Sequence, residues 1–230
     1  MIPAILLALA AAVAPASAPA AHAVTQTRET QAALTPDKAL MMLRDGNARF
    51  AGGRPTSRDV LAQVRTTAAG QFPYAAILGC IDSRVTPERV FDAGIGDLFV
   101  ARVAGDVIDD DILGSLEYST EEAGARVIVV LSHSSCGAVK GACDHLKMGH
   151  LTGLLSLLDP AVQAAVSTPG PHDSKNAAYV DRVARENARL SARALTQRSP
   201  ILAHLVEEHR LRIVPAMYDV TTGKVAFLEP

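Results

Sequence analysis

Short apolar runs recur along the chain and alternate with longer segments in which apolar residues follow a helical period. Two of the runs, at residues 74–78 and 127–131, contain no charged side chain. Uninterrupted apolar runs are typical of strands that are buried on both faces of a parallel sheet. A hairpin-like turn is predicted at Thr222-Gly223, between the last two strands. The five predicted strands cover residues 74–78, 97–103, 126–132, 211–218 and 224–228.

The segments between these strands carry helix signals. Thr35 followed by Pro36 predicts a helix start, because threonine caps free backbone N–H groups and proline suits the first helical position. This first helix ends at Gly46 or at Gly52-Gly53. The later predicted helices cover residues 54–70, 86–94, 109–122, 137–147, 150–160, 173–198 and 199–208.

Strands and helices alternate from residue 74 to residue 147, which predicts a doubly wound sheet. We therefore expect a single α/β domain with a central, mostly parallel β-sheet flanked by helices, and with the last strands at one edge. This domain is assigned to residues 36–230. Residues 24–35 are polar and rich in Ala and Thr, and we interpret them as a flexible arm that leads into the N-terminal helical region.

Residues 1–23 contain no Lys, Arg, Asp or Glu and begin with a short apolar run. Ala21-His22-Ala23 fits the small-x-small pattern of a signal-peptide cleavage site, and Ala16-Ser17-Ala18 is an alternative. We therefore predict a signal peptide cleaved near Ala23 and export to the periplasm or the medium. A misassigned start codon or a disordered tail is the competing interpretation. The prolines and serines in this segment make it a poor membrane anchor.

Composition narrows the classes of partner. The formal net charge of the 230 residues is −2, Trp is absent and aromatic residues make up 4%. A near-neutral chain lacks the excess positive charge that is typical of nucleic-acid-binding proteins, and few aromatic side chains are available to stack on bases. We therefore expect a small-molecule substrate and no nucleic-acid partner.

Three residues at the ends of predicted strands offer soft metal ligands. Cys80 follows the first buried strand, and His133 and Cys136 follow the third. Two thiolates and an imidazole suit Zn²⁺, and three protein ligands leave the fourth tetrahedral position open, as in catalytic zinc sites. We therefore predict one zinc ion per chain, with a redox-active thiol pair as the alternative. Cys143 is interpreted as a buried spare thiol, or alternatively as a fourth ligand.

Asp82 and Arg84 stand two and four residues after the first ligand. Zinc lowers the pKa of a coordinated water toward 7, which makes hydroxide available at neutral pH. Asp82, held by Arg84, could then accept a hydrogen bond from the nucleophile and aim its lone pair at an electrophilic substrate. Alternatively, Asp82 could become the fourth zinc ligand of a closed site, with Arg84 swung away.

Residues 80–85, Cys-Ile-Asp-Ser-Arg-Val, and residues 133–137, His-Ser-Ser-Cys-Gly, resemble the paired motifs of the β-class carbonic anhydrases. The resemblance covers roughly residues 37–230 and extends through the stretches at 99–105, 114–118 and 217–223. It implies reversible hydration of carbon dioxide to bicarbonate and a proton by a zinc lyase.

This resemblance also implies roles for single residues. Cys80, His133 and Cys136 would be the zinc ligands, and Asp82 and Arg84 the catalytic dyad. Gln71, in the stretch Gly-Gln-Phe-Pro, matches a glutamine that binds substrate oxygen in the family. Family members are dimers or multiples of dimers with sites at the subunit interface, so the resemblance implies a homodimer or a dimer of dimers.

The chain departs from the family pattern at Asp106, where asparagine is frequent, and in the absence of the Trp that some members use in a second bicarbonate pocket. Two other functions remain open on the same residues. Related enzymes hydrolyse carbonyl sulfide or carbon disulfide with the same ligands. A non-catalytic zinc-binding module is the other alternative, although such a module would not need an Asp82–Arg84 pair.

Overall fold

The computed structural model describes residues 25–229, so the signal peptide predicted at residues 1–23 lies outside the described residues. Five strands form one sheet: β1 Ala75–Gly79, β2 Leu98–Arg102, β3 Val127–His133, β4 Arg212–Tyr218 and β5 Val225–Phe227. Ten helices surround it in the described chain: α1 Arg28–Ala32, α2 Pro36–Ala51, α3 Val60–Thr67, α4 Pro87–Val90, α5 Asp110–Glu117, α6 Gly137–Cys143, α7 Gly149–Ser156, α8 Asp159–Ala164, α9 Ala177–Arg198 and α10 Pro200–Glu207.

The sheet has the strand order β2-β1-β3-β4-β5. All neighbouring pairs are parallel except β4 and β5, which are antiparallel and joined by the predicted turn. The prediction of one α/β domain with a mostly parallel sheet is therefore confirmed. Gly79 pairs with Arg102 of β2 and with Leu131 of β3, so the carboxyl ends of the three strands lie side by side.

Helices cover both faces of the sheet, which explains why β1 and β3 are buried at every position. Ile77 and Val129 face a cluster that includes Leu43 of α2. The alternate positions face a second cluster on the other side, formed mainly with α5, α9 and α10. Side chains of successive strand residues point to opposite faces, so burial on both faces explains the apolar runs from which the strands were predicted. Ser132 and His133 are buried polar residues at the carboxyl end of β3.

Two predicted helical segments differ in the structure. Residues 54–59 are not helical, because Asp59 caps α3 by accepting a hydrogen bond from the Ala62 amide. The helix expected at 150–160 is two helices, and Pro160 lies in the first turn of α8 rather than beyond a helix end. Proline is tolerated in a first helical turn because no intrahelical donor is required there.

Within the N-terminal arm, residues 28–32 form α1. The Gln31 side chain is buried and donates hydrogen bonds to the carbonyls of Pro73 and Ala123. These contacts attach the arm to the loops that precede β1 and β3. No helix between residues 25 and 229 is both long and apolar enough to cross a membrane.

Candidate metal centre

The three predicted ligands are positioned by two adjacent strands and one helix start. Cys80 follows β1 directly, His133 is the last residue of β3, and Cys136 immediately precedes α6. Ser135 adopts a left-handed backbone conformation, with φ of 56°, which turns the chain between His133 and Cys136. Because β1 and β3 are neighbours in register, the three side chains converge at one edge of the sheet.

The ligand atoms are close together and shielded from solvent. The two sulfur atoms of Cys80 and Cys136 are 3.9 Å apart, and the candidate ligand atoms of all three residues lie within 4.8 Å of one another. Cys80, His133 and Cys136 are 4%, 0% and 1% exposed. A metal bound by these atoms would sit beneath the protein surface at the end of the sheet.

The imidazole of His133 is oriented for metal binding. Its Nδ1 lies 3.0 Å from the carbonyl oxygen of Ser134 and donates to it, which assigns the proton to Nδ1 and leaves a lone pair on Nε2. Nε2 is buried and makes no hydrogen bond within the described chain. An unpaired buried nitrogen is costly unless a ligand engages it. A nitrogen and two sulfur donors fit zinc, so the residues present match the cofactor that the sequence predicts.

The two thiols are inequivalent without a metal. The two sulfur atoms share a hydrogen bond in which either thiol can be the donor. With Cys136 as the donor, this bond lowers the pKa of the Cys80 thiol and raises the pKa of the Cys136 thiol. The backbone amide of Gly105 also donates to the Cys80 sulfur, over 3.3 Å. Cys80 is therefore the sulfur whose thiolate the protein stabilises most directly.

Asp82 and Arg84 form a two-point ion pair at the mouth of the cluster. Arg84 donates from Nε to Oδ1 over 2.9 Å and from Nη2 to Oδ2 over 2.7 Å. These hydrogen bonds hold the pKa of Asp82 far below its usual range, so the carboxylate remains charged at neutral pH. Its Oδ2 lies 3.8 Å from Nε2 of His133. This is the arrangement in which Arg84 holds Asp82, rather than the one in which it is swung away.

Arg102, at the end of β2, supports this loop, although no role at the metal site was predicted for it. Its guanidinium donates to the carbonyl of Cys80 over 2.9 Å and to the carbonyl of Asp82 over 2.7 Å. These bonds fix the backbone between the metal ligand and the catalytic candidate. The signal available in the sequence was an arginine at the carboxyl end of a neighbouring strand.

Asp106, the departure from the family pattern, is a buried carboxylate near the ligands. The carboxylate of Asp106 is 0% exposed and accepts hydrogen bonds from Ser132, over 2.5 Å, and from Asn187 of α9, over 2.9 Å. Burial raises its pKa to about 6. Asn187 lies 81 residues further along the chain, so no local motif connects the two.

Cys143, predicted as a spare thiol or a fourth ligand, does not join the metal site. Cys143 is a free, buried thiol outside the group of three ligands, and burial raises its pKa to about 11.

Gln71 is exposed and precedes the amino end of β1, whereas Cys80 follows the carboxyl end. Since five strand residues span about 16 Å, the chain does not bring Gln71 to its own metal ligands.

Comparison with known proteins places this geometry in a family. The family model described as carbonic anhydrase matches residues 75–225. The chain is 36% identical over 195 residues to carbonic anhydrase 2 of Mycobacterium tuberculosis, which covers 82% of this chain and 91% of the relative.

Solved structures show the same fold. A β-carbonic anhydrase of Aspergillus fumigatus superposes with a TM-score of 0.65 at 25% identity, covering 84% of this chain and 92% of the other. A β-carbonic anhydrase of Sordaria macrospora, described as tetrameric, gives a TM-score of 0.66 at 22% identity and covers 81% and 94%. With the Cys-His-Cys cluster at the ends of β1 and β3, these relations show that the chain belongs to the β-class carbonic anhydrases, zinc enzymes that catalyse the reversible hydration of carbon dioxide.

Proposed function

We propose that Cys80, His133 and Cys136 hold one zinc ion per chain, and that Asp82 and Arg84 are the catalytic dyad for the hydration of carbon dioxide. The observation that carries this proposal is the buried, unpartnered Nε2 of His133, which lies among two thiols and beside an ionised carboxylate. A structural zinc site would have no use for a charged group at that position.

The zinc ion, when bound, supplies the Lewis acidity that makes hydroxide available near neutral pH. Asp82 is ionised and can only accept hydrogen bonds. It takes a hydrogen bond from the attacking hydroxide and so directs the remaining lone pair at the carbon of carbon dioxide. Addition of water to carbon dioxide yields bicarbonate and one proton, and the proton leaves to buffer.

Arg84 acts through Asp82. Its two-point contact restricts rotation of the carboxylate and keeps it charged. A third hydrogen bond runs from Nη2 of Arg84 to the carbonyl of Ser135, over 3.3 Å. This bond connects the dyad to the loop that carries His133 and Cys136, and so holds the Asp82 carboxylate at a constant distance from the metal ligands.

We also propose that Gln71 serves the site of a partner subunit in a homodimer or a dimer of dimers. Gln71 is exposed at the opposite end of β1 from the cluster, which is consistent with a role in another chain. The Sordaria relative is described as tetrameric, which supports an assembly of subunits.

Export remains a proposal that rests on residues 1–23. Their uncharged, apolar start and the Ala21-His22-Ala23 pattern support a cleaved leader. N-terminal sequencing of protein recovered from the periplasm and from the medium would test it, and a mature chain starting near Val24 is expected. A chain that retains Met1 in the cytoplasm would contradict it.

Stopped-flow measurement of carbon dioxide hydration tests the main proposal. Zinc-loaded protein should be active, and chelated protein should recover activity when zinc is added. Elemental analysis should find about one zinc per chain, and Cys136→Ser should lose most of it. Full zinc occupancy in Cys136→Ser would contradict the ligand assignment. Faster hydrolysis of carbonyl sulfide than hydration of carbon dioxide would contradict the substrate.

A further inference from the structure

The backbone amide that donates to Cys80 belongs to a constrained turn. Gly105 and Asp106 follow β2 and both have left-handed backbone conformations, with φ of 71° and 44°. A Cβ atom at Gly105 would lie 3.1 Å from Leu158 and 3.2 Å from Ala138, so the turn is packed closely as well as twisted. Non-glycine residues at positive φ persist only where surrounding contacts hold them.

Asn187 provides the contacts that hold this turn. It is 4% exposed in the middle of α9, and its amide nitrogen donates to the carbonyl of Gly105 over 2.9 Å and to the carboxylate of Asp106 over 2.9 Å. A side-chain amide carries two N–H groups, so both are committed to adjacent residues of the turn. Ser132 donates to the same carboxylate oxygen and links the turn to β3.

The Gly105 carbonyl and the Gly105 N–H belong to successive peptide planes that meet at the Gly105 Cα. Because Asn187 anchors the carbonyl while close packing restricts φ of Gly105 near 71°, the N–H keeps its direction toward the Cys80 sulfur, over 3.3 Å. A hydrogen bond to a thiolate withdraws charge from the sulfur, so the sulfur donates less charge to a bound metal. Two thiolate ligands otherwise oppose the acidity that the reaction requires of the water. Groups that orient and polarise metal ligands in this way typically change metal affinity or activity by about 10–100-fold when they are removed.

We propose that Asn187 is a positioning residue for the hydration reaction, acting through the Gly105–Asp106 turn to aim a hydrogen bond at the metal-binding sulfur of Cys80. The proposal rests on the assignment of Cys80 as a zinc ligand. It adds to that assignment a residue of α9 whose side chain forms hydrogen bonds with Gly105 and Asp106 rather than with the ligands or the dyad.

The test uses full-length protein loaded with Co²⁺, whose sulfur-to-cobalt charge-transfer absorption reports the charge on the sulfur. Asn187→Leu keeps a similar side-chain volume but has no hydrogen-bond donor. Asn187→Ala also lacks the donor and places a residue of high helix propensity in α9. Both variants should shift the charge-transfer band to longer wavelength by the same amount, although their melting temperatures differ. The zinc-loaded forms of both variants should hydrate carbon dioxide more slowly than the parent protein, by about 10-fold at most.

Ser191→Ala is the matched control, because Ser191 is buried one turn further along α9 and makes none of these hydrogen bonds to the turn. It should leave the band and the rate unchanged. An unshifted band in both Asn187 variants, or loss of folded protein in both, would overturn the proposal and make Asn187 a structural residue. Absence of the band in the parent protein would instead refute the Cys80 ligand assignment, so the two failures can be told apart.

Discussion

Asp82 is unusual among the carboxylates of this chain because one guanidinium engages both of its oxygens. The side chain of Asp82 is 15% exposed while that of Arg84 is 51% exposed, so the pair closes the cluster on its solvent side. A neutral amide in place of the carboxylate would present N–H donors to Arg84 and could not serve as the anionic acceptor.

Asp82→Asn should therefore retain zinc and lose turnover on the order of 100-fold or more, as for other positioned acid–base groups. Stopped-flow hydration and elemental analysis of the same sample test this expectation. Asp110→Asn is a suitable control, because Asp110 is a 97% exposed carboxylate that also pairs with an arginine, Arg198. An unchanged hydration rate in zinc-loaded Asp82→Asn would show that the carboxylate is not catalytic.

Bound zinc is expected to protect the thiols of Cys80 and Cys136 from oxidation to a disulfide. They are 3.9 Å apart, and a disulfide needs about 2.05 Å, so a small relaxation after metal loss would let them pair. Oxidised glutathione would take two electrons and two protons from the thiols and leave as two molecules of reduced glutathione. Zinc opposes this step because it occupies the thiolate lone pairs.

Chelated protein should therefore form a Cys80–Cys136 crosslink and lose activity after brief exposure to oxidised glutathione, while zinc-loaded protein retains both thiols. Reductant followed by zinc should restore activity. Mass spectrometry of the two samples measures the crosslink, and buried Cys143 provides an internal control that stays reduced in both. Equal crosslinking with and without zinc would count against the shared metal site.

Among the elements, a buried carboxylate after α4 connects α2 with the segment that precedes α3. Asp92 follows α4, is 5% exposed and accepts hydrogen bonds from Arg49 over 2.6 Å, from Arg58 over 2.5 Å and from the Thr56 hydroxyl over 2.7 Å. Burial alone would raise its pKa, but the bonds from Arg49, Arg58 and Thr56 outweigh it and lower the pKa to about 2. The residues before α3, predicted as helix, are thus held by side-chain contacts instead.

A carboxyl group whose pKa is lower in the folded state stabilises the protein above its unfolded pKa, near 4, and loses that effect as the pH falls toward 2. Asp92→Asn should therefore lower the free energy of unfolding at pH 7 by about 1–2 kcal/mol, with a smaller difference at pH 3. Urea unfolding of metal-free parent and variant at both pH values measures this. Asp37→Asn, at an 81% exposed carboxylate, is the control, and a pH-independent deficit in Asp92→Asn would contradict the ionic explanation.

For the whole molecule, the position of Gln71 makes the proposed dimer testable by complementation. Chains with Gln71→Leu and chains with Asp82→Asn should each be poorly active alone. If Gln71 serves the partner's site, a heterodimer of the two contains one site with both defects and one site with neither. Coexpression with two affinity tags should then restore about half of the parental activity per dimer.

The same heterodimer distinguishes the opposite arrangement. If Gln71 acted within its own chain, each site would carry one defect and activity would not return. A mixture of the separately purified homodimers, assayed before subunit exchange, is the control for additive residual activity. A monomeric parent protein in sedimentation analysis would contradict the proposal directly.

Much of the fold and the ligand set could be predicted because they depend on local rules. The apolar runs at 75–79 and 127–131 indicate buried strands because burial on both faces favours apolar side chains at every position. Cys80, His133 and Cys136 were identifiable because their residue types suit zinc and because each stands at a strand end, where ligands of α/β sheets collect. Those features require no knowledge of distant contacts.

Long-range packing decided the rest. Asn187 reaches the Gly105–Asp106 turn across 81 residues of sequence, and Arg102 reaches the Cys80 loop only because β1 and β2 pair in register. Side-chain partners of this kind leave no spacing pattern in the sequence, since they depend on which elements the sheet order makes neighbours. The chain's residue types and periodicity thus specify the metal-binding chemistry, whereas the packing of α9 and β2 against β1 and β3 determines which side chains support it.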